Sequence, residues 1–131
     1  MIKKIFRVLF VLWAGSLCST VWVALTLFHA QPDRHLAGQL AARLFSIETY
    51  LGLAVAALAA FAGNASRYRP GYLAVALLAC NEWVLKPVME QARTHGSALG
   101  LGFGPWHGVS ALLYLIACGA VIVLLWRDAL R

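Results

Sequence analysis

Charged side chains are scarce in this sequence, and acidic ones are the scarcest. Asp, Glu, Lys and Arg make up 12% of the 131 residues, with 5 acidic against 11 basic side chains, whereas 62% of the residues are hydrophobic. A soluble domain of this length cannot hide so much apolar surface in one core. The composition therefore excludes an ordinary soluble domain and favours a chain whose solvent is the lipid bilayer.

Long polar segments are also missing, because four apolar stretches occupy most of the chain. They cover residues 5–28, 42–63, 71–88 and 105–126, and each is close to the ~20 residues that cross ~30 Å of hydrocarbon as a helix. None of them shows the ~10-residue alternation of a membrane barrel strand. We therefore predict an all-α membrane protein, a four-helix transmembrane bundle that forms a single domain over residues 1–131.

The first stretch lacks the features of a cleavable signal, although basic residues precede it. Its apolar run continues to Phe28 without an A-x-A-like site, and Leu17 stands before Cys18, where a lipoprotein signal needs a small residue. We therefore expect this stretch to remain in the protein as a spanning helix.

Basic residues are distributed unevenly between the two ends of the predicted helices. One side carries Lys3, Lys4, Arg7, Arg67, Arg69, Arg127 and Arg131, and the other carries Arg34, Arg43 and Arg93. Because cytoplasmic loops are enriched in Lys and Arg, the pattern predicts a multi-pass protein of the bacterial inner membrane with both termini in the cytoplasm. No basic stripe interleaved with aromatic residues is present, so we expect the lipid bilayer as a partner and no nucleic acid.

Motifs of enzymes and metal sites are absent from the sequence. Cys18, Cys80 and Cys118 show no CxxC or Cys/His spacing, no HExxH segment occurs, and Ser110 lies outside any G-x-S-x-G turn. A haem site would need a second axial ligand beside His107. We expect a protein that is not an enzyme, and its cofactors and any metal stay unknown.

Ionisable side chains inside the apolar stretches are the candidates for chemistry, since each costs about 2.5–3.5 kcal/mol at the centre of a spanning helix. Glu82 and Lys86 have the i,i+4 spacing of an ion pair, and Glu48 enters its stretch from the outer side. In our hypothesis Glu48 and His107 lie at the mouth of a site and Glu82 lies deeper. We predict that six side chains converge in the outer half of the bundle: Glu48, Glu82, Lys86, His107, Ser110 and Tyr114.

Two interpretations of this cluster are open. As a structural network, its members neutralise one another and fix the register of the helices. As a functional site, it binds a proton, a metal ion or a small polar ligand, and a His with two carboxylates suits Zn, Mn or Fe. The leading hypothesis is a small polar site, open to the outer face, that handles a small solute or ion.

The alternative hypothesis is a structural or accessory subunit that stabilises a membrane protein complex. Small residues at i and i+4, such as Gly15 with Ser19 and Gly52 with Ala56, let a neighbouring backbone approach closely. Both hypotheses predict a homo-oligomer or a membrane protein partner. Between the stretches, Asp33 is a helix start that would extend the second helix outward, and we expect the glycine-rich loop 96–104 to be mobile.

Several segments resemble one known family. They are LWAGS at residues 12–16, RLFSIE at 43–48, Pro87 and, above all, FGPWHGVS at 103–110. With these segments the chain resembles the bacterial members of the transmembrane-protein-205-like family over nearly its whole length. The resemblance implies a four-helix membrane protein with His107, Gly108 and Ser110 as the family motif. It implies no activity, because the bacterial branch is classed as a domain of unknown function.

Overall fold

A computed structural model describes residues 1–63 and 66–130, without the side chain of Lys3. Within these ranges the chain is helical and contains no strand, and four helices are long and apolar enough to cross a membrane. The predicted all-α transmembrane fold is thereby confirmed. Asn64, Ala65 and Arg131 lie outside the described residues. The polar loop near residue 64 is therefore described only in part, and Arg131 of the predicted cytoplasmic side is not described.

Most helices begin and end beyond the apolar stretches of the sequence, but the second helix ends at Phe61, before the end of its stretch at residue 63. They are α1 (Ile2–Ala30), α2 (Arg34–Phe61), α3 (Arg69–Cys80), α4 (Lys86–His95) and α5 (Phe103–Ala129), and a π-helical segment (Asn81–Leu85) joins α3 to α4. α3, the π-helical segment and α4 together form one span, Arg69–His95. Each span therefore carries polar turns past its apolar part.

The start of α2 shows how such a polar turn is stabilised. The Asp33 side chain accepts hydrogen bonds from the backbone N–H groups of His35, at 2.9 Å, and Leu36, at 3.2 Å. These donors have no partner inside the helix, so the carboxylate supplies one. As Asp33 indicates, α2 begins at Arg34 rather than at residue 42.

The third span continues past Pro87, although the apolar stretch ends at residue 88. Proline has no N–H, and its ring crowds the carbonyl one turn earlier, so it normally breaks or kinks a helix. Here the preceding turn is wider, and the Lys86 N–H donates to the carbonyl of Asn81, five residues back. The wider turn accommodates the proline, and α4 runs on to His95, where Gly96 ends it with a φ of 84°.

The core lies between two closely packed helix pairs, α1 with α2 and α3 with α5. Large side chains such as Phe10, Leu17 and Leu78 are almost fully buried, and Ala74 and Ala117 let the helix backbones approach. Many large apolar side chains remain exposed on the outside of the bundle. This arrangement suits helices whose outer faces meet lipid.

One end of the bundle, which we name the inner end, is held together by Asp128. Its carboxylate forms ion pairs with Arg7, at 3.0 Å, and with Arg67. The pKa of Arg67 is raised above its ordinary value, first by the hydrogen bond to Asp128 and then by the negative charge. Asp128 therefore ties α5 to α1 and to the segment before α3, and the opposite end is named the outer end.

The glycine-rich loop between α4 and α5 forms a defined turn at the outer end. Ala98 and Leu101 exchange two backbone hydrogen bonds of 2.8 and 3.0 Å, and Leu99 and Gly100 between them have φ values of 52° and 81°. The Trp106 indole N–H donates to the Ala98 carbonyl at 2.9 Å. The loop that we expected to be mobile is thus fastened to the first turns of α5.

Candidate functional site

Glu48 lies in the interior of the bundle, between α1 and α2. Because α2 starts at Arg34, Glu48 falls near the middle of this 28-residue helix and not at the mouth of a site. Its side chain is only 4% exposed. The Oε1 atom accepts hydrogen bonds from the Ser16 hydroxyl at 2.5 Å and from the Thr20 hydroxyl at 3.1 Å.

The backbone around Glu48 is held by a tryptophan from α1. The Trp13 indole N–H donates to the Glu48 carbonyl at 3.1 Å. Trp13 is 3% exposed, and it packs against α2 where Gly52 leaves no side chain in its way. The close approach of α1 and α2 at this point places the two hydroxyl groups of α1 beside the carboxylate.

Tyr114 also points into the interior. Its hydroxyl donates to the Leu17 carbonyl at 2.7 Å, and its ring lies against that of Phe45, with the ring centroids 4.7 Å apart. The hydroxyl therefore satisfies a carbonyl of α1. Tyr114 contributes to the same buried region as Glu48, away from the outer end.

Glu82 and Lys86 form the ion pair that their spacing indicates. Lys86 Nζ lies 2.8 Å from Glu82 Oε1 and also donates to the Ser46 hydroxyl at 2.8 Å. The Ser46 hydroxyl is 2.9 Å from each Glu82 oxygen. Ser46 is a partner that sequence reasoning missed, because a single serine among apolar residues of α2 gives no signal of its own.

Ser110 is held by an amide. Its hydroxyl donates to Asn81 Oδ1 at 2.7 Å, and Asn81 Nδ2 donates to the Ser110 carbonyl at 3.1 Å. This reciprocal pair joins α5 to the π-helical segment. His107, one turn earlier on α5, is exposed and stacks on Phe103, with the ring centroids 5.6 Å apart.

A cavity of about 730 Å³, which we name the outer groove, opens between α2, α4 and α5 at the outer end. In the described part of the chain, α4 packs on α5 rather than on α2, so the two sides of the groove stay apart. Lys86, His107 and Ser110 line it. Its cationic members are Arg34, Arg43, Lys86 and Arg93, and its larger apolar members are Phe28, Phe45, Met89 and Phe103.

The six predicted site residues therefore fall into two groups. Glu48 and Tyr114 belong to the buried interior, whereas Lys86, His107 and Ser110 line the outer groove, with Glu82 held behind Lys86. Across residues 1–63 and 66–130, no three His, Cys, Asp or Glu side chains come together as a metal site would require. The structure thus does not assemble the His and two carboxylates of the metal hypothesis.

Comparison with known proteins gives a family and no activity. Residues 8–98 match a family model whose description is Domain of unknown function (DUF4149). This range is more than half of the chain and contains Glu48, Glu82 and Lys86, whereas His107 and Ser110 lie beyond it. No curated protein and no solved structure matches the chain.

Proposed function

The chain belongs to the family described as Domain of unknown function (DUF4149), and on that premise we propose that it is a non-enzymatic protein of the bacterial inner membrane that binds an anionic amphiphile in its outer groove. The observation that carries the proposal is the lining of the groove. Cationic side chains line an opening whose remaining walls are mostly apolar, with His35, Gln39, Glu90, His107 and Ser110 as the other polar members. An anionic headgroup with an apolar tail matches both parts of that lining.

Charge favours an anion over a cation or a neutral solute. Four cationic side chains line the groove against one carboxylate, that of Glu90, which pairs with Arg93 at 2.6 Å. Lys86 is engaged by Glu82. Arg34 and Arg43 remain as exposed positive groups on α2. A cation within about 10 Å of these groups would be repelled.

The size of the groove suits a small ligand or a lipid headgroup with the upper part of its chains. Its volume of about 730 Å³ lies inside the range of roughly 300–1,000 Å³ that is usual for ligand sites. Phe28, Phe45 and Met89 supply the apolar contact area. The groove also lies at the outer end, where a membrane lipid could enter sideways between α2 and α4.

The orientation belongs to the same proposal. We infer that the inner end is cytoplasmic, because Arg7, Arg67 and Arg69 lie there and cytoplasmic segments are enriched in Lys and Arg. The outer groove then faces the periplasmic side of the membrane. We also propose that the chain is related to the transmembrane-protein-205-like family. This relationship does not indicate which ligand the groove binds.

Titration of the purified protein with anionic and zwitterionic amphiphiles tests the groove. We expect phosphatidylglycerol to bind more tightly than phosphatidylcholine in native mass spectrometry. Replacing either Arg34 or Arg43 by glutamine should lower the affinity for phosphatidylglycerol by about fivefold, because one cation near a membrane surface contributes about 1 kcal/mol. Inorganic phosphate, which has no tail, shows whether the headgroup charge alone is enough.

The matched control is Arg69→Gln, which removes an exposed arginine at the other end of the bundle. It should leave the affinity for phosphatidylglycerol unchanged. An equal loss in Arg69→Gln and Arg43→Gln would mean that any arginine attracts the lipid, and the groove would then not be a binding site. If inorganic phosphate bound as tightly as the lipid, the ligand of the groove would be a water-soluble anion and not an amphiphile.

A second candidate is the structural subunit, and two exposed glycines of α5 favour it. Gly52 and Ala56 are used inside the bundle, so they cannot contact a partner. Gly104 and Gly108, four residues apart on α5, are exposed with open space around them. Helices in membranes associate closely through such pairs.

Chemical cross-linking in native membranes tests this second candidate. If α5 mediates association, we expect dimers or a hetero-complex in the original chain and at least a severalfold loss of cross-linked product in Gly108→Leu. Gly119→Leu, on the same helix and with open space around it, is the control for bulk alone. A yield of monomer only would contradict association through α5.

A further inference from the structure

Glu48, like Tyr114, is a candidate residue that the outer groove does not explain. Its carboxyl group is buried near the middle of two long spanning helices, α1 and α2. The Oε1 atom has two hydroxyl donors, but the Oε2 atom is buried without a hydrogen-bond partner among the described residues. A buried polar atom of this kind is rare in folded proteins and calls for an explanation.

In the part of the chain that the structure describes, no positive charge pairs with Glu48 to balance a carboxylate. Among the described residues, the ion pairs of the chain involve Asp128, Glu82 and Glu90, and none involves Glu48. The titratable groups that interact with it are the phenol of Tyr114 and the thiol of Cys118 on α5, and the thiol of Cys18 on α1 interacts with both of these in turn. None of these three side chains is cationic in any protonation state.

We propose that Glu48 binds a proton and is a neutral carboxylic acid at neutral pH, held at the centre of the bundle between α1 and α2. An ionised carboxylate without a counter-charge is far more costly in an apolar environment than a neutral hydroxyl with an incomplete set of hydrogen bonds. A proton on Oε2 removes the charge from the atom that has no partner. It leaves Oε1 free to accept from Ser16 and Thr20.

The two hydroxyl groups allow the proton to leave as well as to bind. Ser16 and Thr20 can donate to Oε1 in the acid and in the carboxylate, so the helices need not separate when the proton departs. Glu48 is thus a proton-binding site, and this inference is independent of whether the outer groove binds an amphiphile.

Infrared difference spectroscopy of the protein in lipid bilayers tests the proposal. At neutral pH, subtracting the spectrum of Glu48→Gln from that of the original chain should leave the C=O stretching band of a protonated carboxyl group. The matched control is Glu82→Gln, which removes a carboxylate that is paired with Lys86. Its difference spectrum should contain only the bands of an ionised carboxylate.

A second measurement on the unchanged sequence guards against a variant that does not fold. Labelling the glutamate side-chain carboxyl with carbon-13 shifts the band of any protonated glutamate, and the chain has three candidates, of which Glu82 and Glu90 are ion-paired. Absence of a shifted band at neutral pH would overturn the proposal. Presence of the band in Glu48→Gln would also overturn it.

Sodium distinguishes a site that takes only protons from one that exchanges them. If the band persists when sodium chloride replaces choline chloride, Glu48 takes protons alone. If sodium removes the band and choline does not, the same carboxyl group exchanges its proton for sodium. Either result supports a proton-binding carboxyl group at Glu48, because the band is present in choline in both cases.

Discussion

Replacing Gly52 by alanine lowers the free energy of unfolding by about 1–3 kcal/mol, because the new methyl group overlaps a buried tryptophan. A Cβ atom at this position would lie 2.4 Å from Cζ2 of Trp13 and 2.8 Å from its Cε2. Trp13 is enclosed by the core, so moving it away disturbs the packing around it. Displacing Trp13 would also weaken its hydrogen bond to the Glu48 carbonyl. The loss of this bond costs about 1 kcal/mol of unfolding free energy.

The control for Gly52→Ala is Gly15→Ala on the facing helix. Gly15 is also in the middle of a span, but a Cβ there would meet nothing within 4 Å. Alanine should therefore stabilise α1 by about 0.5–1 kcal/mol, since glycine is the more flexible residue in the unfolded chain. Titration with SDS, followed by the fluorescence of the five tryptophans, measures both changes. Similar effects of the two substitutions would contradict the packing of Trp13 on Gly52.

Replacing Asp128 by asparagine is the second change for which we expect a large loss, about 2 kcal/mol of unfolding free energy. The carboxylate is 7% exposed and holds Arg7 and Arg67. Hydrogen bonds to charged groups contribute about 1.5–3 kcal/mol, and the lower part of this range applies because Arg7 is 53% exposed to solvent. Asparagine keeps the shape and removes the charge, so the loss measures the ion pairs.

The control for Asp128→Asn is Glu90→Gln. Glu90 pairs with Arg93 at 2.6 Å, but both side chains are about half exposed, so we expect a change below about 1 kcal/mol. The same SDS titration compares the two variants. A loss in Glu90→Gln as large as that in Asp128→Asn would contradict the expectation that burial strengthens the ion pairs of Asp128.

The fold could be predicted from the sequence because its signals are local. Four apolar stretches of spanning length predict four helices, and Asp33 predicts the start of α2. The passage of the third span through Pro87 could not be predicted in the same way. Proline signals the end of a helix, and the wider turn that compensates for it depends on backbone geometry that no single residue type specifies.

The candidate site was predicted only in part, for two physical reasons. Helix spacing gives pairs on one helix, and so the contact of Glu82 with Lys86 follows from the sequence. Contacts between helices depend on rotation and depth, and the depth of Glu48 was misjudged because α2 begins earlier than its apolar stretch. The outer groove was missed since Arg34 and Arg43 were interpreted through topology alone, although the same charges also line a cavity.

The π-helical segment has a consequence for how related chains should align. A π-helical turn holds about one residue more than an α-helical turn, so Asn81–Leu85 is equivalent to a single-residue insertion. Were it absorbed into a continuous α-helix of the same length, every residue after it would rotate by about 100°. Met89 and Arg93 would then leave the groove. A relative that lacks one residue before the proline keeps the same groove with a straight α-helix. In a sequence alignment, a gap of one position before the proline therefore indicates the same architecture.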